Sequence, residues 1–224
     1  MLITNCQIIF KDKIEKGAVR IEDGKITAIN PERMKDEEIV DAKDMYLSPG
    51  FIDIHIHGAG GYDTMDGTNE AINGIAKAIA KHGTTSFVPT TMTMSTAEIN
   101  QSLKVIAQLM VDGTEGANVL GAHLEGPFIC SKAIGAQNPK YLVKPSIAIY
   151  EEMVKGYEAT IVSMTLAPEL EGAKALIKYL TNKGIICSVG HSKATYEEVM
   201  EAISWGIAHG THLYNGMSPI ERQG

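Results

Sequence analysis

The chain has 224 residues, 44% apolar and 21% charged, which excludes disorder and suits one large domain or one domain with a small partner. Its net charge of −7 excludes a basic nucleic-acid surface. No stretch reaches the roughly 18 apolar residues of a membrane span, so no membrane partner is expected.

The N-terminal MLITNCQIIFKDK lacks the long apolar run of a signal peptide. Residues 1–48 read as a small β domain. LITNCQIIF, GAVRIEDG and KITAIN are short β-prone segments, and Asp23 with Gly24 is a hairpin signal. Three or four antiparallel strands are expected, followed by a solvated charged connection, PERMKDEEIVDAKD. Cys6, Cys130 and Cys187 are scattered and form no CxxC pair, which argues against a disulfide framework and for a reducing cytoplasm.

Ser48, Pro49 and Gly50 punctuate a boundary. Residues 49–224 then change to a strand, loop, helix rhythm. Strands are expected over 51–57, 84–90, 118–126, 160–168, 184–192 and 206–215, with helices over 69–82, 96–111, 146–155, 169–182 and 195–205. Ser95 reads as an N-cap with Glu98 at capping-box spacing. Gly83 and Gly184 follow helices where C-caps belong. Strands alternating with helices imply parallel βα units. No GxGxxG follows a strand, and polar residues gather at the ends of several strands, as in a (β/α)8 barrel. The expected class is α/β: a TIM-type (β/α)8 barrel, incomplete at about six βα units, beside a small N-terminal β-sandwich portion.

Side chains alternate faces along FIDIHIH. Ile52, Ile54 and Ile56 are expected to face the helices, and Asp53, His55 and His57 the barrel axis. Two imidazoles at i and i+2 can share a divalent metal, whereas a lone buried histidine is more often a core residue. In NVLGAHLEGP, Glu125 ends an apolar strand, where an unpaired carboxylate is costly to bury; a salt bridge to a loop lysine is the bland alternative. His123 reads as a supporting or packing residue. His191 and His212 end two further strands, and His209, at odd spacing from His212, is expected on the opposite face. Imidazole and carboxylate suit Zn²⁺, Fe²⁺ or Mn²⁺, and the set fits one metal or two bridged by Glu125. Such an ion lowers the pKa of bound water toward about 7 and polarises a carbonyl. Hydrolysis of an amide, ester or cyclic amide follows as a reaction class. The long loop 126–145 is either functional or a plain surface excursion.

PGFIDIHIHG resembles the first-strand signature of the amidohydrolase superfamily. HLEGPF, GAQNP, SVGHSKAT and THLYNGMSP together are similar to the N-acetylglucosamine-6-phosphate deacetylase family, along the whole chain. The resemblance implies hydrolysis of the acetamide of N-acetylglucosamine 6-phosphate to glucosamine 6-phosphate and acetate. It implies one or two divalent metals (Zn, Fe or Mn) and a homodimer at full length. By position, Glu125, His191 and His212 correspond to the shared metal ligands. His55 and His57 correspond to the pair that holds a second metal in some members. Ala136 with Gln137, and Asn215 with Gly216, correspond to substrate contacts; some members have His where this chain has Gln137. Arg222 falls about one residue short of the family's phosphate-binding arginine and receives no role. The family's acid/base Asp is expected beyond Gly224, with two more strands and the rest of the β domain. A six-stranded piece with open edges is therefore expected to be unstable and nearly inactive alone. Alternatives are another amidohydrolase acting on a cyclic amide, disfavoured by Glu125 where many carry a carboxylated lysine, and a non-catalytic metal-binding fragment.

Overall fold

The computed structural model describes residues 1–219, so Arg222 lies outside the described residues. The chain divides after Gly50. In the first unit, β1 (Leu2–Ile9) pairs antiparallel with β2 (Ile14–Glu22), and β2 with β3 (Lys25–Ile29). Asp23 and Gly24 join β2 to β3 with φ of 49° and 71°, the left-handed pair that a tight hairpin demands. The rest of the unit differs from expectation. β4 (Ile39–Asp41) and β5 (Tyr46–Leu47) both run parallel to β1. The charged run is therefore not only a solvated connection, because its β-branched Ile39 and Val40 favour a strand. Glu37 within it takes a forked ion pair from Arg20, Nε to Oε1 at 2.7 Å and Nη2 to Oε2 at 3.0 Å. That hydrogen bonding holds the Glu37 carboxyl down at about 2. Cys6, Ile8, Val19 and Ala42 form the unit's small core.

The second unit follows the strand–helix rhythm. Its order is β6 (Phe51–Ile56), the short hairpin β7 (Gly58–Ala59) and β8 (Tyr62–Asp63), α1 (Asn69–Ala80), β9 (Thr84–Thr91), α2 (Thr96–Asp112), β10 (Asn118–Val119), β11 (Ala122–Glu125), α3 (Ile147–Val154), β12 (Ile161–Leu166), α4 (Ala173–Asn182), β13 (Ile186–Val189), α5 (Tyr196–Trp205) and β14 (Ile207–Gly210). β6, β9, β11, β12, β13 and β14 pair in that order, all parallel. This is a curled, partial TIM-type barrel sheet, the expected class. β10 is a detached first piece of the third strand, also beside β9. Gly121 interrupts the strand with φ of 151°, and a Cβ there would lie 2.4 Å from Val162 and 2.8 Å from the Thr160 carbonyl. Such close approach is a usual reason for glycine in a strand.

The core lies between this sheet and its helices. α1 presents Ile72, Ile75, Ala76 and Ile79 at three-to-four-residue spacing, packed in one cluster with Phe87, Leu103, Leu124 and Met164. Ser95 and Glu98 close a capping box on α2, and Gly83 and Gly184 take left-handed φ of 88° and 79° beyond α1 and α4. Among the described residues no helix is long and apolar enough to cross a membrane.

The simple alternation expected of FIDIHIH does not hold. Pairing with β9 shifts register between Asp53 and Ile56. Ile52 and Ile54 are 60% and 54% exposed, and only Ile56 of the three packs against the core. Ile54 and His55 both line a cavity of about 550 Å³ on the sheet's inner side. Two successive side chains on one face are what a bulge produces. Asp53 is not aimed at the site; its Oδ1 accepts the His55 backbone N–H at 3.1 Å. His209 also departs from expectation, since it lines the same cavity as His212. The pairing of β13 with β14 shifts register just before it, between Cys187 and Ser188.

Candidate metal centre

Glu125 ends β11 and is 1% exposed. Four imidazole Nε2 atoms converge on its carboxylate. His57 lies 3.0 Å from Oε2, while His212 lies 3.1 Å and His55 and His191 each 3.4 Å from Oε1. His55 and His57 come from the end of β6, and His191 and His212 follow β13 and β14. Two groups result, His55–His57–Glu125 and Glu125–His191–His212, each with its ligand atoms within 4.8 Å of one another. The structure thus brings the five expected ligands together, with Glu125 common to both groups.

Backbone carbonyls aim three of the rings. Nδ1 of His57 lies 3.2 Å from Thr90 O, that of His191 2.9 Å from Ala133 O, and that of His212 2.9 Å from Asn215 O. A carbonyl only accepts, so each Nδ1 carries the proton and a neutral ring leaves Nε2 bare. Nε2 of His191 and Nε2 of His212 are 3.1 Å apart, so two neutral rings set lone pair against lone pair. A cation between them relieves that contact. Nε2 of His55 and Nε2 of His57 face each other at 3.3 Å. The backbone is also unusual here: His191 and His212 have φ of 49° and 29°. Left-handed backbone costs a residue with a side chain about 1–2 kcal/mol and concentrates at functional sites. Gly216 has φ of 61°, and a Cβ on it would lie 3.2 Å from His191 Nδ1 and 3.4 Å from His212 Cε1.

Burial alone would raise the Glu125 carboxyl. Hydrogen bonds that His191 and His57 donate from Nε2 in their protonated forms, with the nearby charge of His55 and His57, outweigh it and hold Glu125 well below the usual carboxylate range. Burial likewise opposes charge on His57 and His191, but their bonds to Glu125 prevail and leave both raised. For His55 burial prevails and lowers it. Glu125 is therefore ionised near neutral pH, the form that ligates a cation.

His123 has another role. It is buried, with Nδ1 2.6 Å from Ser163 Oγ and Nε2 2.8 Å from Thr165 Oγ1, and burial pushes it down to about 3. Both nitrogens are engaged, so it supports the site and does not ligate. Thr165 bonds onward to Thr211, and Thr211 to Ser188. This hydroxyl chain joins His123 of β11 to β12, β13 and Thr211, just past β14. It was missed in the sequence, where serines and threonines in a strand carry no sign of their partners.

The loop 126–145 is built into the site. Ala133 O holds His191, and the Cys130 N–H donates to His191 O at 2.8 Å. Gln137, 4% exposed, donates from Nε2 to Glu125 Oε2 at 2.6 Å and accepts the Thr93 N–H at 2.7 Å. The contributions of Gln137, Thr90 and Thr93 to the site's geometry escaped the sequence reading. The polar run TTMT at the end of an apolar strand was the available signal. Ala136 and Asn215 are exposed beside the centre, and Gly216 is half-buried.

The amidohydrolase family model matches residues 46–221. N-acetylglucosamine-6-phosphate deacetylase of Bacillus subtilis is 39% identical over 100% of this chain and 58% of its own length. N-acetylgalactosamine-6-phosphate deacetylase of Escherichia coli O157:H7 is 34% identical over 94% of this chain and 55% of its own length. The crystal structure of N-acetylglucosamine-6-phosphate deacetylase from Pasteurella multocida superposes with a TM-score of 0.88 at 30% identity, covering 99% of this chain and 58% of that one. The chain thus spans a little over half the length of the relatives it matches.

Proposed function

Because this chain belongs to the amidohydrolase family, we propose that it carries the metal centre of an N-deacetylase. The enzyme hydrolyses the acetamide of N-acetylglucosamine 6-phosphate to glucosamine 6-phosphate and acetate. The observation that carries the reading is the single buried carboxylate of Glu125 met by four imidazole Nε2 atoms within 3.4 Å. Nitrogen and carboxylate donors of this kind fit Zn²⁺, Fe²⁺ or Mn²⁺. Glu125, His191 and His212 would hold one ion, and Glu125, His55 and His57 a second. A divalent ion bound there activates water near neutral pH and polarises an amide carbonyl.

The chain's own groups prepare that chemistry. The carbonyls of Thr90, Ala133 and Asn215 leave Nε2 of three neutral rings bare and aimed, and the imidazoles around Glu125 hold its carboxyl well below the usual range. Ala136, Asn215 and Gly216 are the positions assigned to meet the sugar phosphate. Gln137 belongs to the same contact pair as Ala136, but its side-chain amide is engaged by Glu125 and Thr93. The reading includes a homodimer at full length, carried over from the family, and a cytoplasmic setting, supported by three unpaired cysteines.

The relative named for N-acetylgalactosamine 6-phosphate supports the 4-epimer as the competing substrate. Acetate release by the protein carrying this chain, loaded with Zn²⁺ or Mn²⁺, tests both. The expected result is release from N-acetylglucosamine 6-phosphate with a kcat/KM about tenfold or more above that of the galacto epimer, the reach of about 1.4 kcal/mol of differential binding. A reversed preference moves the substrate to the epimer. No acetate from either removes the deacetylase reading.

A further inference from the structure

We propose that Gln137 is the positioning residue that fixes Glu125 as a bridge between the two histidine pairs, and so sets whether the centre holds two divalent ions or one. The inference rests on the metal-centre reading above.

The two oxygens of Glu125 have different surroundings. Oε1 faces His55, His191 and His212, whereas Oε2 faces His57 at 3.0 Å and the Gln137 amide at 2.6 Å. The terminal torsion of a glutamate is broad. An unrestrained carboxylate can therefore turn and offer both oxygens to one group, leaving the other without its shared ligand. The bond from Gln137 opposes that turn, because rotating Oε2 away from His57 also breaks it.

Gln137 is itself immobilised. Glu125 can only accept and the Thr93 N–H can only donate, so the direction of the amide is determined. The Thr93 bond is 2.7 Å, and Gln137 is 4% exposed, leaving little water to compete. Thr93 in turn lies against the Glu125 backbone, its Oγ1 3.3 Å from Glu125 O. A Cβ on Gly126 would meet that same Oγ1 at 2.1 Å. One buried amide thus ties the ends of β9 and β11 to the long loop, at the Glu125 oxygen that faces His57.

The test uses the whole protein and Zn²⁺ as the probe. Gln137→Met keeps the length and volume of the side chain and removes the donor. Gln137→Leu also removes the donor, with a shorter apolar side chain. Metal content and competition with a chelator are measured on wild type, both variants and His57→Ala. The expected wild type holds two ions. Both Gln137 variants keep one at wild-type affinity and bind the other about 10–100-fold more weakly, the usual cost of losing an outer partner of a metal ligand. The Mn²⁺-loaded variants should also lose the exchange-coupled paramagnetic resonance signal of a bridged pair, as His57→Ala does. Wild-type affinity for both ions in Gln137→Met overturns the proposal. So does equal weakening of both ions with a lowered melting temperature, which would reduce Gln137 to loop packing. A wild type that holds fewer than two ions overturns the two-ion reading together with this inference. None of these readouts depends on acetate release, so the substrate reading can fail separately.

Discussion

At the scale of single residues, the site is a problem of aiming. Of the four imidazoles that reach one buried carboxylate, carbonyl oxygens aim His57, His191 and His212, and left-handed backbone turns the last two. Gly216 is the clearest dependence, since it sits at φ of 61° within 3.2 Å of His191 Nδ1 if given a Cβ. Gly216→Ala is expected to cost about 1–2 kcal/mol from backbone strain alone. It should lower the melting temperature and weaken the ion at Glu125, His191 and His212 more than the ion at His55 and His57. Chelator competition on the variant checks this; equal affinities at both groups would contradict it. The five candidate ligands that the fold brings together were legible in the sequence because charged and imidazole side chains stand out in apolar strands. Gln137's bond to Glu125 and the hydroxyl chain from Thr165 to Ser188 were not legible. Their roles depend on which neighbour the fold brings up, and residue type does not say.

At the scale of elements, the rhythm of strands and helices was readable from periodicity and caps, but strand ends were not. A strand was expected over 184–192, whereas β13 is Ile186–Val189. The difference is physical. His191 and His212 take left-handed backbone, which a strand cannot hold, so both histidines lie just past the ladder. The bulge in β6 has the same character: it breaks the alternation of FIDIHIH while its Asp53 carboxylate accepts the His55 N–H. Strand alternation alone would have placed Asp53 among the ligands' neighbours on the axis. Helix ends, by contrast, follow local chemistry. Ser95→Ala removes the capping-box side chain of α2 and should cost about 1 kcal/mol, read by denaturant unfolding, with metal content unchanged. A loss of metal in that variant would show the helix end and the site to be coupled.

At the scale of the whole molecule, a parallel barrel-type sheet gathers the ends of its strands at one face. That is why side chains as far apart in sequence as His55 and His212 share one carboxylate. The inner cavity of about 550 Å³ beside the ligands is lined by Ile54, Leu120 and Ile186 as well as by His55 and His212, so apolar and ligating side chains border the same space. The family assignment and the 39% identity to a deacetylase support the reading proposed above. The claim on which the account turns is that Glu125 serves both ligand groups. Metal content after Zn²⁺ loading tests it most directly, comparing wild type, His57→Ala and Glu125→Gln. The account predicts two ions for wild type, one for His57→Ala and loss of both for Glu125→Gln. Two ions retained by Glu125→Gln would contradict it.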